Sequence, residues 1–326
     1  MGVSRVVKIG LVGTGGAARR LHGPAISSVD GVELHGVYGR SLANAEAITK
    51  ELGGIAYDDI DRMIADDELD ALVIATPDGL HAEAAIRAAR AGKSVLIEKP
   101  MALNSADCEA VIAAFQGSTA KLGMAYRMRF HLGHQEVMQR VHAGEFGALR
   151  LVRVHAALLA QDDGTWRNDP KTGAWWVLSK IGTHFLDQIH WAVGRPTSSI
   201  QSFSGFMRSR TSQNEAEASG SWSYENGPMA QAFFSNLWGQ GDSRIEMYFD
   251  RDTITLHGSL GIEGDGEIAI NQQPLSYEAR PELPAQIEDF AQAIREDRDP
   301  LVPGAIGLEN VHLLERFSRE AEELSA

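Results

Sequence analysis

The sequence is poor in cysteine, in basic residues and in long apolar runs, and each shortage excludes a class of protein. The single cysteine, Cys108, cannot form a disulfide within the chain, which favours a reducing compartment. The formal net charge of -14 argues against nucleic acid as a partner. The apolar run Val6–Val12 is too short for a signal peptide, and no run approaches the roughly 20 residues that a membrane helix needs. We therefore expect a soluble, cytoplasmic protein that binds neither nucleic acid nor a membrane.

With 326 residues, the chain is long enough for two domains of ordinary size. In the first third, β-branched runs such as Val32–Tyr38 alternate with helical stretches such as Leu42–Leu52, which predicts an α/β fold with a doubly wound parallel sheet. From about residue 149, longer strands of alternating polarity predict an open, mostly antiparallel sheet, interrupted by a helix over 174–193. This second pattern is typical of an α+β domain. The change of pattern predicts a boundary near residue 123, which divides the chain into domains 1–123 and 124–326.

A glycine-rich motif follows the first predicted strand directly. Its sequence is Gly13-Thr14-Gly15-Gly16-Ala17-Ala18, which fits GxGxxA. In dinucleotide-binding proteins the first glycine permits a tight turn, and the second lets the pyrophosphate approach the backbone at a helix N-terminus. The third small residue lets the helix pack closely on the strand. The motif alone is common, but the strand before it and the βαβ units after it indicate a Rossmann domain.

Arg40 and Ser41 follow the second predicted strand, where an NAD site needs a carboxylate for the ribose 2′-hydroxyl. A guanidinium and a hydroxyl suit the 2′-phosphate of NADP instead, because charge-assisted bidentate contacts to phosphate are strong. The alternative is that Arg40 is a solvated residue at the start of a helix. The sequence therefore favours NADP as the cofactor, with NAD as the alternative.

Three further motifs accompany the glycine-rich loop. They are Ala75-Thr76-Pro77 with His81 four residues on, Glu98-Lys99-Pro100, and Gly182-Thr183-His184 with Asp187. Together, the four segments resemble the glucose–fructose oxidoreductase / inositol dehydrogenase / MocA family over essentially the full length of the chain. The resemblance implies a Rossmann domain followed by a substrate-binding domain, whose open sheet assembles a homodimer or homotetramer. It also implies cofactor contacts, beyond the glycine-rich loop and Arg40-Ser41, from Thr76, Pro77, His81, Glu98 and Lys99.

The resemblance implies oxidation of a secondary alcohol of a sugar, cyclitol or related polyol, or the reverse carbonyl reduction. Hydride transfer at a carbinol carbon is accompanied by proton transfer at its oxygen, which a positioned side chain supplies. By the resemblance, Lys99 is that acid/base group or polarises the oxygen, His184 contacts the substrate hydroxyl or shares the proton transfer, and the bond before Pro100 is cis. Two other functions stay open. They are reduction of another carbonyl, imine or conjugated substrate, and a non-catalytic dinucleotide-binding sensor.

Lys180 departs from the family pattern, because many relatives carry Asp four residues before the histidine. Residues i and i+4 share a helix face, so Lys180 and His184 are predicted to point into the same site. A second ammonium group would disfavour protonation of Lys99, whereas Asp would favour it. Lys180 is therefore a candidate substrate ligand or catalytic group. The alternatives are that the site has lost the family's catalysis, or that Lys180 points into solvent or pairs with Asp187.

The last candidates are suggested by their place in the chain. Trp166 and Arg167 occupy a polar loop where relatives contact substrate or cofactor, and loops carry function disproportionately. Arg129 follows the last Rossmann strand and is predicted to bind substrate, with a purely structural role as the alternative. His131 and His134 suggest a metal pair, but no third ligand is spaced with them, so we expect no metal.

Overall fold

A computed structural model of the chain describes residues 5–160, 166–209 and 214–324. The chain folds into two compact units and crosses between them three times. The first unit ends at Ala125 and takes up a second segment, Leu283–Leu308, whereas the second unit contains Tyr126–Glu282 and the chain from Glu309 onward. The predicted boundary near residue 123 lies close to the first crossing. The sequence did not indicate the return of Leu283–Leu308 to the first unit.

The first unit is built on a six-stranded parallel sheet. Its strands are β1 (Val7–Val12), β2 (Val32–Tyr38), β3 (Ile55–Tyr57), β4 (Ala71–Ile74), β5 (Ser94–Ile97) and β6 (Leu122–Met124). Its helices up to Ala125 are α1 (Gly23–Ser28), α2 (Leu42–Leu52), α3 (Ile60–Ile64), α4 (His81–Arg90) and α5 (Ser105–Phe115). The strand order is β3-β2-β1-β4-β5-β6, the doubly wound order that places ligands at the carboxyl ends of the strands. β4 and β5 are buried at every residue, which explains their uninterrupted apolar sequences.

The second unit is built on a nine-stranded sheet. Its elements up to Glu282 are α6 (Leu132–His142), β7 (Leu149–Leu158), α7 (Thr183–Val193), β8 (Ile200–Arg208), β9 (Glu217–Tyr224), β10 (Met229–Ser235), β11 (Gln240–Phe249), β12 (Thr253–His257), β13 (Glu267–Ile270) and β14 (Gln273–Pro274). The ninth strand is β15 (Glu322–Leu324), and the order is β14-β13-β12-β11-β7-β10-β9-β8-β15. Only the β7–β10 and β8–β15 pairs are parallel among these described strands. β12 alternates buried and half-buried residues, as expected for a sheet with one covered face.

Two helices carry the chain back through the first unit. They are α8 (Glu282–Glu296) and α9 (Gly304–Glu320), the latter beginning in the first unit and ending in the second. Ile287 and Phe290 of α8 are buried in the first unit. The backbone N–H of Met124 donates to the carbonyl of Val302 at 2.8 Å. The edge strand β6 is therefore hydrogen-bonded to the segment between α8 and α9.

The two sheets confirm the predicted fold class. β2 and α2 have the predicted bounds. The helix predicted over 174–193 is different in structure, because a π-helical turn at Leu178–Gly182 precedes α7. Among the described residues, no helix combines the length and apolar character that a membrane span requires.

Two buried arginines follow the first crossing and bind carboxylates of the second unit. Arg127 donates to the carboxylate of Glu282, the residue at the second crossing. Arg129 donates to both carboxylate oxygens of Asp187, at 2.8 to 3.1 Å. Asn310, next to the third crossing, donates to the same Asp187 at 3.3 Å. The segments beside all three crossings are therefore fixed within the second unit by buried charged groups.

Candidate functional site

The glycine-rich loop has the backbone geometry that the motif predicts. Gly13 has a φ of 123°, and a Cβ there would lie 2.5 Å from the carbonyl oxygen of Ala75, so only glycine fits. Gly15 faces open space, and its carbonyl accepts from the N–H of Arg19 at 2.9 Å as a helical segment begins. Ala18 is fully buried against the sheet. Gly15 therefore leaves room for a phosphate at a helix N-terminus, where N–H groups favour an anion.

The residues around this loop complete a cradle for a dinucleotide. A Cβ on Gly39 would lie 2.5 Å from Thr14 Cγ2, so Thr14 packs directly against the turn that ends β2. The Oγ1 atom of Thr76 is buried and has no hydrogen-bond partner within the described part of the chain. A bound ligand is one way to satisfy such an atom. Together with the open space at Gly15, this atom shows that the residues present fit a dinucleotide.

The turn after β2 exposes a cation. Arg40 and Ser41 are both exposed, and Arg40 forms no ion pair with a described residue. Ser41 is the N-cap residue of α2, but its side chain makes no capping hydrogen bond. The guanidinium and the hydroxyl are thus both available to a ligand at the N-terminus of α2. The first two positions after the sheet strand, Gly39 and Arg40, carry no carboxylate.

The Glu98-Lys99-Pro100 motif stands at the carboxyl end of β5. Its Lys99–Pro100 peptide bond is cis, as expected. Glu98 accepts a hydrogen bond from Nε2 of the fully buried His22 at 2.6 Å, and its Oε2 accepts from the backbone N–H of Lys99 at 3.1 Å. Burial opposes ionisation of Glu98, but the hydrogen bond and charge of His22 and the charge of Lys99 outweigh it and lower the pKa to about 2. Glu98 is therefore an ionised support for the Lys99 backbone.

His22 was not predicted from the sequence. It lies in the π-helical turn Ala18–His22 that follows the glycine-rich loop, so it joins that loop to the end of β5. No sequence pattern distinguishes a histidine nine residues after the first glycine as a functional residue. Its role depends on the contact with Glu98, which is 76 residues away in the sequence.

His81, which was predicted to contact the cofactor, lies between two backbone carbonyl groups. Its ring is fully buried, with Nδ1 2.9 Å from the carbonyl oxygen of Pro100 and Nε2 2.9 Å from that of Thr76. Both ring nitrogens therefore face backbone oxygens. His81 joins the loop after β4 to the loop after β5 and so links two predicted cofactor-binding segments.

The candidate residues of the second unit lie on the helical segment that precedes and includes α7. Lys180 is half-buried within the π-helical turn, and its backbone N–H donates to the carbonyl of Trp176 at 2.9 Å. His184 is 8% exposed and lies in the first turn of α7. The neighbouring Thr183 hydroxyl is 3.0 Å from the Tyr126 hydroxyl. The i, i+4 argument assumed a regular α-helix, which the π turn at Lys180 contradicts.

Arg129, which was predicted to bind substrate, makes internal contacts in the structure. Its guanidinium binds Asp187 through three hydrogen bonds and lies 5.1 Å from the ring centroid of Trp191. Arg129 is only 8% exposed, and Asp187 is fully buried. These internal contacts favour the structural alternative for Arg129. The same contacts engage Asp187, which was one predicted partner for Lys180.

Trp166 and Arg167 lie in a short 3₁₀ turn, and both are half-buried. The Arg167 guanidinium lies 4.1 Å from the Trp166 ring centroid, a cation–π contact that holds the two side chains together. The Thr172 hydroxyl donates to the carbonyl of Trp166 at 2.7 Å, which closes the loop on itself. The pair is therefore held by contacts within residues 166–172.

His131 and His134 are engaged in internal contacts. His131 Nδ1 accepts from the N–H of His134 at 3.2 Å and so caps α6. His134 Nδ1 lies 2.9 Å from Gln188 Oε1, and burial lowers the pKa of His134 well below its usual value. No group of three or more metal-binding side chains occurs in the ranges that the structure describes.

The sequence matches known families over both units. Residues 7–126 match the family described as "Oxidoreductase family, NAD-binding Rossmann fold", and residues 134–261 match the "GFO/IDH/MocA C-terminal domain". The chain belongs to the Gfo/Idh/MocA oxidoreductase family. The cofactor class is therefore a nicotinamide dinucleotide.

Curated relatives and a solved structure are also similar to this chain. Glucose-6-phosphate 3-dehydrogenase of Bacillus subtilis is 31% identical over 189 residues, which cover 56% of this chain and 52% of that protein. This chain thus spans about half the length of the first curated relatives that it matches. Inositol 2-dehydrogenase of Rhizobium meliloti is 26% identical over 97% of both proteins. The aldose-aldose oxidoreductase of Caulobacter crescentus has a TM-score of 0.88 at 23% identity, covering 97% of this chain and 98% of that one, which shows the fold.

Proposed function

We propose that the protein is an NADP-dependent oxidoreductase that transfers a hydride between the nicotinamide and a secondary alcohol or carbonyl of a sugar, cyclitol or related polyol. The observation that carries this proposal is the juxtaposition, in one sheet, of the glycine-rich cradle after β1 and Lys99 at the end of β5. The dinucleotide, when bound, supplies or accepts the hydride. The relatives named for sugar and cyclitol oxidation support the substrate class.

Arg40 and Ser41 support NADP over NAD. Both follow β2, where a doubly wound fold meets the adenosine ribose. The exposed guanidinium can bind a 2′-phosphate through two parallel hydrogen bonds, and the N-terminus of α2 favours the same anion. NAD would require a carboxylate at this turn.

Lys99 moves the proton in this proposal. Its ammonium donates to the carbonyl oxygen during reduction, and its neutral amine accepts from the hydroxyl during oxidation. Glu98 holds the backbone of Lys99 through the 3.1 Å hydrogen bond. We assign His184 to the reacting hydroxyl, with Lys180 as a substrate ligand or second catalytic group. The Trp166–Arg167 pair provides a further substrate contact.

Lys180 narrows the substrate class. An ammonium group where many relatives carry Asp favours a substrate with a carboxylate or another electron-rich group.

We also propose that the protein acts in the reducing cytoplasm, because Cys108 is the single cysteine of the sequence and is buried. For assembly, we propose a homodimer or homotetramer formed through the nine-stranded sheet, and light scattering of the purified protein tests this.

The test of the proposed function is turnover by purified protein with NADP and a panel of polyols, cyclitols and their acidic derivatives, followed at the absorbance band of reduced nicotinamide. Lys99→Ala should leave dinucleotide binding largely intact and reduce turnover by about 100-fold or more, the scale of general acid–base catalysis. Lys50→Ala, which removes an exposed lysine of α2, is the control. A Lys99 variant with the parent rate would exclude this role. Tight NADP binding without turnover on any substrate would favour the sensor.

A further inference from the structure

One buried carboxylate binds the start of the helical segment that contains Lys180 and His184. Glu215 Oε1 accepts from the backbone N–H of Trp176 at 3.0 Å and from that of Leu178 at 2.9 Å. The N–H of Val177, between them, donates to the backbone carbonyl of Glu215 at 3.1 Å. Glu215 therefore binds three consecutive N–H groups where the segment begins. These are the donors that a helix leaves without partners in its first turn.

The contacts of Trp176 connect Glu215 to Lys180. The N–H of Trp176 donates to Glu215, and the carbonyl of Trp176 accepts from the N–H of Lys180 at 2.9 Å. Trp176 itself is 7% exposed, so the backbone here is enclosed by protein. A movement of the Glu215 carboxylate would therefore be transmitted to the π-helical turn that orients Lys180.

The environment of Glu215 indicates a specific role for its carboxyl group. The side chain is 5% exposed and forms no ion pair with a described residue. Burial raises the pKa to about 7, although the hydrogen bonds from Leu178 and Trp176 oppose the rise. Burial of a carboxylate is costly unless its oxygens are hydrogen-bonded, and the N–H groups of Trp176 and Leu178 supply such bonds here.

We propose that Glu215 is a positioning residue for Lys180 and His184, acting through the backbone of residues 176–178. The proposal rests on the proposed function, because it assigns those two side chains to the substrate. Glu215 itself is not a catalytic residue. It sets the conformation of the π-helical turn and so the place of the Lys180 ammonium.

Glu217 provides a matched control two residues further along the chain. It is also a buried glutamate, 7% exposed, and accepts hydrogen bonds from Ser235 at 3.0 Å and Trp238 at 3.3 Å. Arg208 donates to its other oxygen at 3.1 Å. Its hydrogen bonds are made to β8, β10 and the turn after β10, and not to the helical segment. Glu217→Ala therefore reports the general effect of removing a buried carboxylate from this sheet.

The experiment compares Glu215→Ala, Glu215→Asp, Glu215→Gln and Glu217→Ala in the full chain, by steady-state kinetics, NADP binding and amide hydrogen exchange. Glu215→Ala should lower kcat at least tenfold without changing the affinity for NADP, while exchange at residues 176–180 rises at least tenfold. Glu215→Gln, which keeps an acceptor oxygen, should restore kcat to within about threefold. If Glu215→Ala fails to fold, Glu215→Asp takes its place, because it draws the carboxylate back by one methylene. Its kcat should be lower than that of Glu215→Gln, and its exchange at residues 176–180 should be faster.

Three results would overturn the proposal. They are a parent-like kcat in Glu215→Ala and Glu215→Asp, an equal loss of kcat in Glu217→Ala, or unchanged exchange at residues 176–180. A parent protein that turns over no substrate contradicts the proposed function but not the role of Glu215. Amide hydrogen exchange at residues 176–180 still tests whether Glu215 fixes the backbone of this segment. Raised exchange confined to the Glu215 variants would then support the structural part of the inference.

Discussion

At the scale of the residue, two arginines with similar sequence settings have opposite environments. Arg40 and Arg129 each follow a strand of the parallel sheet, and both were predicted to bind a ligand. Arg40 is exposed and forms no ion pair within the described ranges, whereas Arg129 is buried against Asp187. The difference lies in a partner 58 residues away, which the sequence does not reveal.

We expect Arg40 to determine the choice of dinucleotide. NADP should bind at least tenfold more tightly than NAD, about 1.4 kcal/mol, because the guanidinium pairs with the 2′-phosphate. Arg40→Ala should remove most of this preference by weakening NADP binding alone. Titration of intrinsic fluorescence with both dinucleotides measures it, with the exposed Arg90→Ala as the control. Equal affinities in the parent protein would contradict the prediction.

Glu215 should make the free energy of unfolding depend on pH between about 4.5 and 7. Its folded-state pKa of about 7 lies above the ordinary value of 4.5, so the folded state keeps a proton that the unfolded state has already released. Rising pH through this window therefore lowers the free energy of unfolding, by at most about 3 kcal/mol from this group.

Glu215→Gln should remove that contribution. Urea unfolding of parent and variant across pH 4.5 to 7 measures the difference, and the variant should gain stability relative to the parent as pH rises. A stability difference between parent and variant that stays constant over this pH range would contradict the raised pKa of Glu215.

At the scale of the element, the π-helical turns coincide with candidate functional segments. One covers Ala18–His22 after the glycine-rich loop, and the other covers Leu178–Gly182 around Lys180. π turns occur frequently at functional sites, where a wider turn redirects side chains. The second turn places Lys180 outside the regular spacing that the sequence suggested.

We expect Lys180 to influence the proton transfer assigned to Lys99. If both side chains meet the substrate as proposed, Lys180→Asp replaces an ammonium with a carboxylate and so favours the protonated form of the Lys99 amine. The basic limb of the pH–rate profile should therefore move to higher pH. The measurement is kcat/KM against pH for both proteins, and Lys171→Asp, at an exposed lysine, is the control. An unmoved profile with full activity would mean that Lys180 takes no part in the reaction.

The elements differed in how far the sequence could predict them. β2 and α2 were predicted with their observed bounds, because each has a clear apolar period and turn-forming residues at its ends. The glycine-rich loop was predicted from its GxGxxA pattern after the first strand, and Gly13 has the positive φ that such a tight turn requires. His22 and Glu215 were missed, since their importance comes from contacts with residues distant in the chain. The π turn at Lys180 has no recognised sequence signal.

At the scale of the whole molecule, the buried ion pairs beside the crossings should contribute to stability. Arg129→Leu leaves the fully buried Asp187 without its cation, which should cost about 3 to 5 kcal/mol. Adding Asp187→Leu should recover much of this loss, because replacing both partners of a buried pair is often neutral. Urea unfolding measures both variants. A single variant within about 1 kcal/mol of the parent would show that Asn310 alone satisfies Asp187.

The return of Leu283–Leu308 has a consequence for anyone who builds chimaeras from this protein. A gene fragment that stops at Ala125 encodes every strand of the parallel sheet but omits the buried residues Ile287 and Phe290 of α8. Such a fragment would expose an apolar surface and aggregate. Exchange of the dinucleotide-binding unit with a relative must therefore transplant two separate stretches of coding sequence, and a shuffled library with a single junction would yield few folded proteins.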